Sequence, residues 1–263
     1  MDLLKKYHIK AKRSLGQNFL VDEKVVAQII QAADLKPNDV VLEIGPGLGV
    51  LTKEIAERAK KVIAIEKDNK LCAILKQELK DYKNIEVINA DILKYIILNT
   101  RYKILANLPF NIASPVIRKF LDPPVGGPPA DGMILMVQKE VAQRIAAKPP
   151  NMSILSVAVQ LYAKPEILFS IPKESFLPQP KVDAAMLKID SIKSPTINTG
   201  LFFKIVKAGF SNPRKQLINN LSNGLKEPRP EISEWLKNNN INPTQRAETL
   251  TIQDWIRLTR SFY

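Results

Sequence analysis

Short runs of aliphatic and β-branched residues alternate along the first half of the chain with longer amphipathic segments. Runs followed by glycine or polar residues are typical of buried strands, and apolar residues spaced three and four apart are typical of helices. Strands are predicted at 40–44, 61–68, 85–92, 103–110 and 133–138, with helices at 23–33, 50–60, 69–80, 112–121 and 139–147. This alternation predicts an α/β fold with a right-handed, doubly wound parallel sheet.

The pattern of predicted elements changes in the second half of the chain. A helix is predicted at 153–162, and 167–171 and 184–189 are predicted to form a closing pair of strands. After a polar linker at 191–200 come short helices punctuated by proline, predicted at 201–210, 214–221, 231–238 and 252–261. We therefore expect three parts, namely a basic N-terminal arm or lid at 1–22, an α/β domain at 23–190 and a small helical domain at 191–263.

Four consecutive predicted strands end in glycine or in a polar residue. The four residues are Gly45, Glu66, Asp91 and Asn107. The carboxyl ends of parallel strands lie at one edge of a sheet, where open α/β sheets bind ligands. We expect the four residues to share one site. Taken singly, Glu66 could be a helix cap or a surface acid, and Asp91 could cap a helix.

The first strand runs into the loop Gly45-Pro-Gly-Leu-Gly49, after the acidic Glu43. Glycines let the backbone approach a ligand closely, and the N-terminus of the next helix favours negative charge. The dinucleotide fingerprint would need glycine where Val50 stands. The loop therefore suits a nucleotide-type ligand without pyrophosphate, such as S-adenosylmethionine, with Glu66 accepting from its ribose hydroxyls.

The fourth strand ends in Asn107-Leu-Pro-Phe110. Proline stops the strand and favours an extended Leu108, whose carbonyl can then face outward. The Asn107 carboxamide and the Leu108 carbonyl could accept hydrogen bonds from the exocyclic amine of a base that stacks on Phe110. Phe176, in a loop stiffened by prolines, could present a second aromatic face. The alternatives are a plain strand-ending turn and a phenylalanine that belongs to the core.

Charge and composition narrow the class of protein. Among 263 residues, 39 are basic and 26 acidic, and the net charge of +13 favours a polyanionic partner, either nucleic acid or an anionic membrane surface. The single cysteine, Cys72, and the single histidine, His8, argue against a disulfide, a metal centre and a Ser-His-Asp triad. No signal peptide or membrane-length apolar run is evident, so a cytoplasmic protein without a membrane partner is expected.

The two ends of the chain carry much of the basic character. The N-terminal arm ends in Gln17-Asn-Phe-Leu20, and it reads either as a lid that brings polar groups over a ligand or as a disordered basic arm. From residue 190 to residue 263, eleven basic and six acidic residues give a net charge of +5. A helical segment of this size is suited to RNA contact rather than to catalysis.

Taken together, these motifs resemble those of the ribosomal RNA adenine N6,N6-dimethyltransferases, in particular the bacterial family that modifies small-subunit (16S) rRNA. The matching stretches cover nearly the whole chain and lie at 14–20, 41–49, 107–110, 176–182, 210–221 and 246–250. The resemblance implies a Rossmann-like class I methyltransferase sheet with a small all-helical C-terminal domain. It also implies S-adenosylmethionine-dependent dimethylation of two adjacent adenosines near the 3′ end of 16S rRNA during subunit maturation.

The same resemblance implies the residues of the site. S-Adenosylmethionine would be held by Asn18, Leu20, Gly45, Glu66, Asp91 and Asn107, and the target adenine by Asn107, Leu108, Phe110 and Phe176. Two features depart from the family pattern. Phe110 stands where bacterial members usually have tyrosine, which keeps the stacking face, and the Pro/Gly run at 122–130 is longer than usual.

Other functions remain open at this stage. A related enzyme could modify 23S rRNA and confer antibiotic resistance, although the matches at 210–221 and 246–250 argue against it. A nicotinamide dehydrogenase is disfavoured by Val50. A mainly non-catalytic ribosome-assembly factor is compatible with the same residues. The expected partner is 16S rRNA within a small-subunit precursor particle, bound by a monomer.

Overall fold

The computed structural model describes residues 2–95, 100–109, 112–121 and 130–262. The chain forms two compact units, one of residues 1–142 and 165–192 and the other of residues 143–164 and 193–263. Phe110 and residues 122–129, on which two of the sequence expectations fall, lie outside the described residues.

Within the described ranges the helices follow the predicted order, apart from α1, which was not predicted. They are α1 (Asp2–Lys6), α2 (Glu23–Ala33), α3 (Val50–Ala56), α4 (Asn69–Glu78), α5 (Ala113–Leu121), α6 (Lys139–Ile145), α7 (Ile154–Gln160), α8 (Thr199–Gly209), α9 (Leu217–Leu225), α10 (Arg229–Asn238) and α11 (Ile252–Arg260). The strands are β1 (Phe19–Leu20), β2 (Val40–Ile44), β3 (Lys61–Glu66), β4 (Ile85–Asn89), β5 (Lys103–Asn107), β6 (Gly132–Gln138), β7 (Lys164–Ile171), β8 (Phe176–Leu177) and β9 (Ala184–Asp190).

The first unit is built on a seven-stranded sheet with the order β4-β3-β2-β5-β6-β9-β7. Strands β2 to β6 are parallel to one another, and β9 is antiparallel to β6. The chain moves outward from β2 to β4 and then returns to place β5 on the other side of β2. The carboxyl ends of β2 and β5 are therefore neighbours at the point where the strand order reverses, which is the usual ligand position in such sheets.

Mostly apolar runs, interrupted in β2 by Glu43, make these strands central. Residues 41–44 of β2 are all buried, as are the middle three residues of β5. Both faces of a parallel sheet are covered by its crossover helices, so such strands need no polar side. Helix α2 supplies part of that cover through Val25, Val26, Ile29 and Ile30, and its start is fixed by Asp22, whose side chain accepts from the backbone N–H groups of Lys24 and Val25.

A two-stranded antiparallel ribbon joins the end of the arm to a distant loop. Leu20 of β1 pairs with Phe176 of β8, and Phe19 pairs with Leu177. The N–H of Val21 also donates to the carbonyl of Ser175 at 2.9 Å. The segment that leads into α2 is thus tied to the proline-containing loop, and both line the sheet edge described below.

The second unit is helical and has a core of its own, centred on Trp255, Phe202 and Leu221. The sequence assigned residues 143–164 to the α/β domain, and the structure places them in this helical unit instead. The reason is packing, since Met152 and Val157 are buried in the same cluster as Phe202. Some strands also end earlier than predicted. β4 ends at Asn89 rather than at residue 92, and β5 ends at Asn107 rather than at residue 110.

Candidate active site

The glycine loop begins where β2 ends. Gly45, Gly47 and Gly49 all have positive φ angles, a conformation that side chains strongly disfavour. At Gly49 a Cβ atom would also lie 2.8 Å from Leu75 Cδ2, so the turn into α3 requires glycine there. A hydrogen bond of 3.0 Å from the Gly45 N–H to the Ile65 carbonyl holds the loop against β3. The loop therefore has a fixed backbone at the edge of the sheet.

Glu66 lies at the end of β3 and is almost fully buried. Its carboxylate accepts from the Asp68 N–H at 2.8 Å and from the Gly47 N–H at 3.3 Å. Burial raises the pKa of Glu66, and these two N–H groups oppose part of that rise. The acid thus connects the second strand end with the glycine loop, and its oxygens keep acceptor capacity for hydroxyl groups of a ligand.

Asp91 follows β4 in a turn that is tightly held. One carboxylate oxygen accepts from the Leu93 N–H at 3.0 Å, and the other pairs with Lys67 at 2.9 Å. The hydrogen bond from Lys67, and secondly that from Leu93, lowers the pKa of Asp91. Lys119 of α5 donates from one ammonium group to the carbonyls of Ile92, Leu93 and Tyr95 at 2.6–3.1 Å.

Asn107 and Leu108 stand at the end of β5. The Leu108 side chain is buried, and its N–H donates to the Met136 carbonyl at 3.2 Å, which anchors the backbone to β6. The carboxamide N–H of Asn107 donates to the backbone carbonyl of Asn18 at 3.3 Å. Its oxygen is then the atom left to meet a ligand.

One cavity brings together every predicted site residue that the structure describes. These are Asn18, Leu20, Gly45, Glu66, Asp91, Asn107, Leu108 and Phe176. Phe176 is buried and packs in the main core cluster while also lining the cavity, so both interpretations of this residue hold. The position of Phe110 lies outside the described residues, and its role stays a prediction.

Glu43 also lines this cavity, although no role was predicted for it from the sequence. It lies on β2, it is 2% exposed, and its Oε2 atom has no hydrogen-bond partner. Burial raises the pKa of Glu43 to about 8, and the nearby Thr52 hydroxyl opposes part of that rise. A buried carboxyl with an unmet oxygen fits a ligand that carries an ammonium or sulfonium charge, which S-adenosylmethionine does.

Metal and membrane features add no further site. Among the residues that the structure describes, no three His, Cys, Asp or Glu side chains lie close enough together to hold a metal ion. No described helix has both the length and the apolar character needed to cross a membrane. Cys72 is buried.

This strand order, with a glycine loop after β2, an acid at the end of β3 and Asn-Leu-Pro at the end of β5, defines a class I methyltransferase that uses S-adenosylmethionine. A family model described as Ribosomal RNA adenine dimethylase matches residues 8–262. The chain belongs to this family. The predicted fold class, cofactor and enzyme class are thereby confirmed, and the substrate is an RNA.

Individual relatives agree with the family. The chain is 42% identical to Ribosomal RNA small subunit methyltransferase A of Alkaliphilus metalliredigens, with 98% of this chain and 94% of the relative covered. A dimethyladenosine transferase structure from Plasmodium falciparum superposes with a TM-score of 0.79, at 28% identity and 91% and 95% coverage. The structure of 23S rRNA methyltransferase ErmE gives 0.76, at 27% identity and 92% and 98% coverage.

Proposed function

We propose that this protein dimethylates the N6 amines of two adjacent adenosines near the 3′ end of 16S rRNA during small-subunit maturation. The observation that carries the proposal is the convergence of Glu66, Asp91 and Asn107 in one cavity beside the glycine loop. The choice of small-subunit RNA is supported by relatives about 40% identical over nearly the whole chain, which are named small subunit methyltransferases.

In this proposal, cofactor binding falls to the residues around the glycine loop. The Gly45 backbone and Asn18 face the amino-acid part, Glu66 accepts from the ribose hydroxyls, and Asp91 accepts from the adenine amine, with Leu20 packing alongside. When bound, S-adenosylmethionine supplies the methyl group as a positively charged sulfonium. Glu43, buried behind the glycine loop, would favour that positive charge in its ionised form.

The target adenine is held at the end of β5. An adenine amine is a poor nucleophile because its lone pair is delocalised into the ring. Hydrogen bonds from the amine to the Asn107 carboxamide oxygen and to the Leu108 carbonyl draw the nitrogen toward tetrahedral geometry and aim its lone pair. Phe110 and Phe176 supply ring faces on which the base stacks. Positioning does most of the work, since no strong base is needed.

The same arrangement permits a second transfer. After the first methyl group is added and the nitrogen has released a proton to water, one amine hydrogen remains to donate to an acceptor. Rotation about the C–N bond then presents the lone pair again, so the product is N6,N6-dimethyladenosine. Asparagine rather than aspartate at position 107 agrees with a site that acts through geometry and not through a charged base.

The biological setting is also part of the proposal. The substrate would be 16S rRNA within a small-subunit precursor particle, bound by a monomer in the cytoplasm. Residues 23–142 with 165–190 would carry catalysis under an N-terminal lid, and the helical unit would contact RNA through its excess of basic residues. A second candidate, modification of 23S rRNA, draws on the similarity to the ErmE structure.

Asn107→Ala tests the chemistry directly. The change removes one amine acceptor and leaves β5 and Pro109 in place. We expect the methylation rate to fall roughly a hundredfold or more, because misplacement at the reacting centre is costly. RNA affinity, which depends mostly on phosphate contacts, should barely change. The measurement is single-turnover methyl transfer to precursor particles, with RNA binding followed in parallel.

Product analysis decides between the candidates. Nucleosides from 16S and 23S rRNA of cells lacking this protein should be resolved by mass spectrometry. Loss of N6,N6-dimethyladenosine from 16S rRNA alone supports the proposal. Loss from 23S rRNA, a product methylated on ribose or cytosine, or a wild-type rate for Asn107→Ala would contradict it.

A further inference from the structure

The orientation of the Asn107 carboxamide depends on a single contact with the N-terminal arm. Its N–H group donates to the backbone carbonyl of Asn18 at 3.3 Å. A carboxamide carries its donor and its acceptor on opposite sides, so fixing the nitrogen also fixes the direction of the oxygen. The proposed chemistry uses that oxygen. The position of the Asn18 carbonyl therefore decides where the oxygen points.

The turn that carries Asn18 is held by a short network. The Gln17 side chain accepts from the Lys12 N–H at 2.7 Å and donates to Asp68 Oδ2 at 3.1 Å. Lys12 Nζ lies 2.8 Å from the same oxygen. The Asn18 side chain closes the turn from within by donating to the Gly16 carbonyl at 3.3 Å. Residues 12–18 are therefore fastened to the body of the protein at Asp68.

The Asp68 side chain is buried, and each of its two oxygens has a partner. Its side chain is 3% exposed, and its second oxygen caps α4 by accepting from the Lys70 N–H at 3.0 Å. Burial acts to raise its pKa, but the hydrogen bonds from Lys12 and Gln17 outweigh burial and lower the pKa below the ordinary value. The carboxylate stays ionised at neutral pH. It does not line the cavity, so it contacts no ligand there.

We propose that Asp68 is a positioning residue for methyl transfer, which holds the turn 12–18 so that the Asn18 carbonyl orients the Asn107 carboxamide. This inference rests on the role proposed for Asn107 and extends it to a residue outside the cavity. The competing role is purely structural, in which Asp68 only caps α4 and fastens the arm. The two roles predict different results for the variants below.

Asp68→Asn separates the capping of α4 from the contact with Lys12 and Gln17. Asparagine keeps one oxygen to cap α4 but replaces the oxygen that Lys12 and Gln17 share with an N–H donor. At saturating S-adenosylmethionine and RNA we expect kcat to fall about tenfold. The RNA dissociation constant and the melting temperature should stay close to those of wild type, since the cap is retained.

A second substitution should rescue the first. In Gln17→Glu/Asp68→Asn, the new amide donates to the new carboxylate, which restores the hydrogen bond with its polarity reversed. We expect kcat within about threefold of wild type. Gln17→Glu alone brings two carboxylates together and should slow the reaction at least as much as Asp68→Asn. Rescue also keeps the test decisive if Asp68→Asn lowers the melting temperature.

Glu78 offers a matched control on the same arm. Its carboxylate accepts from Lys6 at 2.7 Å and from the Tyr7 hydroxyl at 2.6 Å, which fastens α1 and not the turn 12–18. Glu78→Gln should leave kcat unchanged. If Glu78→Gln slows methyl transfer as much as Asp68→Asn does, the arm acts as a whole and the inference is wrong.

A double-mutant cycle with Asn107→Ala tests the route of the effect. If Asp68 acts through the Asn107 carboxamide, Asp68→Asn should slow the Asn107→Ala enzyme by less than twofold. Equal slowing in both backgrounds, wild-type kcat in Asp68→Asn, or a failure of the rescue would overturn the inference. A wild-type rate for Asn107→Ala would instead overturn the proposed function, so the two failures are distinguishable.

Discussion

Glu43 is a residue whose ionisation is strongly changed by folding. Its carboxyl group is buried on β2, and its pKa rises from 4.5 to about 8. Between these values the folded protein holds a proton that the unfolded chain releases. Folding is therefore favoured at low pH, and this contribution to the free energy of unfolding is lost as the pH rises toward 8.

Glu43→Gln should remove that pH dependence. One group that titrates this way contributes a slope of about 1.4 kcal/mol per pH unit to the free energy of unfolding. Urea unfolding at several values between pH 5.5 and pH 7.5 should show wild-type stability falling with pH by about this slope more than that of the variant. Glutamine keeps the shape of the neutral carboxyl group.

The comparison has a built-in control. Glu86 is an exposed acid that pairs with Lys61 at 2.7 Å on the surface. Glu86→Gln should leave the wild-type slope in place. If the Glu43→Gln protein lost stability with pH as steeply as wild type does, a buried and neutral Glu43 would be the wrong description.

At the scale of elements, the turn after β4 shows how a helix supports Asp91, a residue proposed to bind the cofactor. Lys119 of α5 donates to three carbonyls of residues 92–95, directly after Asp91. Burial lowers the pKa of Lys119, and the charge of Asp91 partly opposes this. The ammonium group therefore acts as a cap for the carbonyls of this turn.

Lys119→Met should loosen this turn and weaken cofactor binding. Methionine keeps much of the side-chain length but donates no hydrogen bond, so three carbonyls lose their partner. We expect the S-adenosylmethionine dissociation constant to rise roughly tenfold, equivalent to about 1.4 kcal/mol. Calorimetric titration measures it. Arg118→Met, at the exposed position before it, is the control, and an equal effect there would show that Lys119 has no special role.

Local patterns were enough to predict most elements of the first unit. Helix α2 was predicted at its observed bounds because Asp22 caps it and its apolar residues follow the helical period. The strand ends could be grouped into one site because parallel topology brings them to one edge. Residues 143–164 were misassigned because only tertiary packing shows that Val157 lies against the core of the second unit.

The contact of Asp68 with Lys12 and Gln17 could not be predicted from the sequence. Gln17 and Asp68 are 51 positions apart, and neither belongs to a motif that predicts the contact. The sequence pattern placed Asp68 only at the end of the strand predicted at 61–68. Side-chain networks between distant segments depend on the folded backbone. Sequence reasoning could therefore group the strand ends at one sheet edge but could not find the contacts behind the cavity.

At the scale of the whole molecule, the division into units bears on how RNA binding can be tested. The chain passes between the units after residues 142, 164 and 192. Removing the residues after 192 would strip the cover from Met152 and Val157, which are buried among the helices of the second unit. Truncation would therefore expose apolar surface, and the intact chain gives the cleaner measurement of RNA binding.

The net charge of +13 predicts that RNA affinity falls steeply with salt. Each phosphate contact releases condensed counterions and adds about 0.7 to 0.9 to the slope of log affinity against log salt. We expect at least a tenfold loss between roughly 50 and 200 mM salt, measured by filter binding with the intact protein. Asn107→Ala should show the same slope as wild type, because the proposed partner of Asn107 is a base and not a phosphate. RNA affinity that does not depend on salt, or a shallower slope of log affinity against log salt in the variant, would contradict this prediction. Affinity would then arise in the cavity rather than from basic residues spread over the chain.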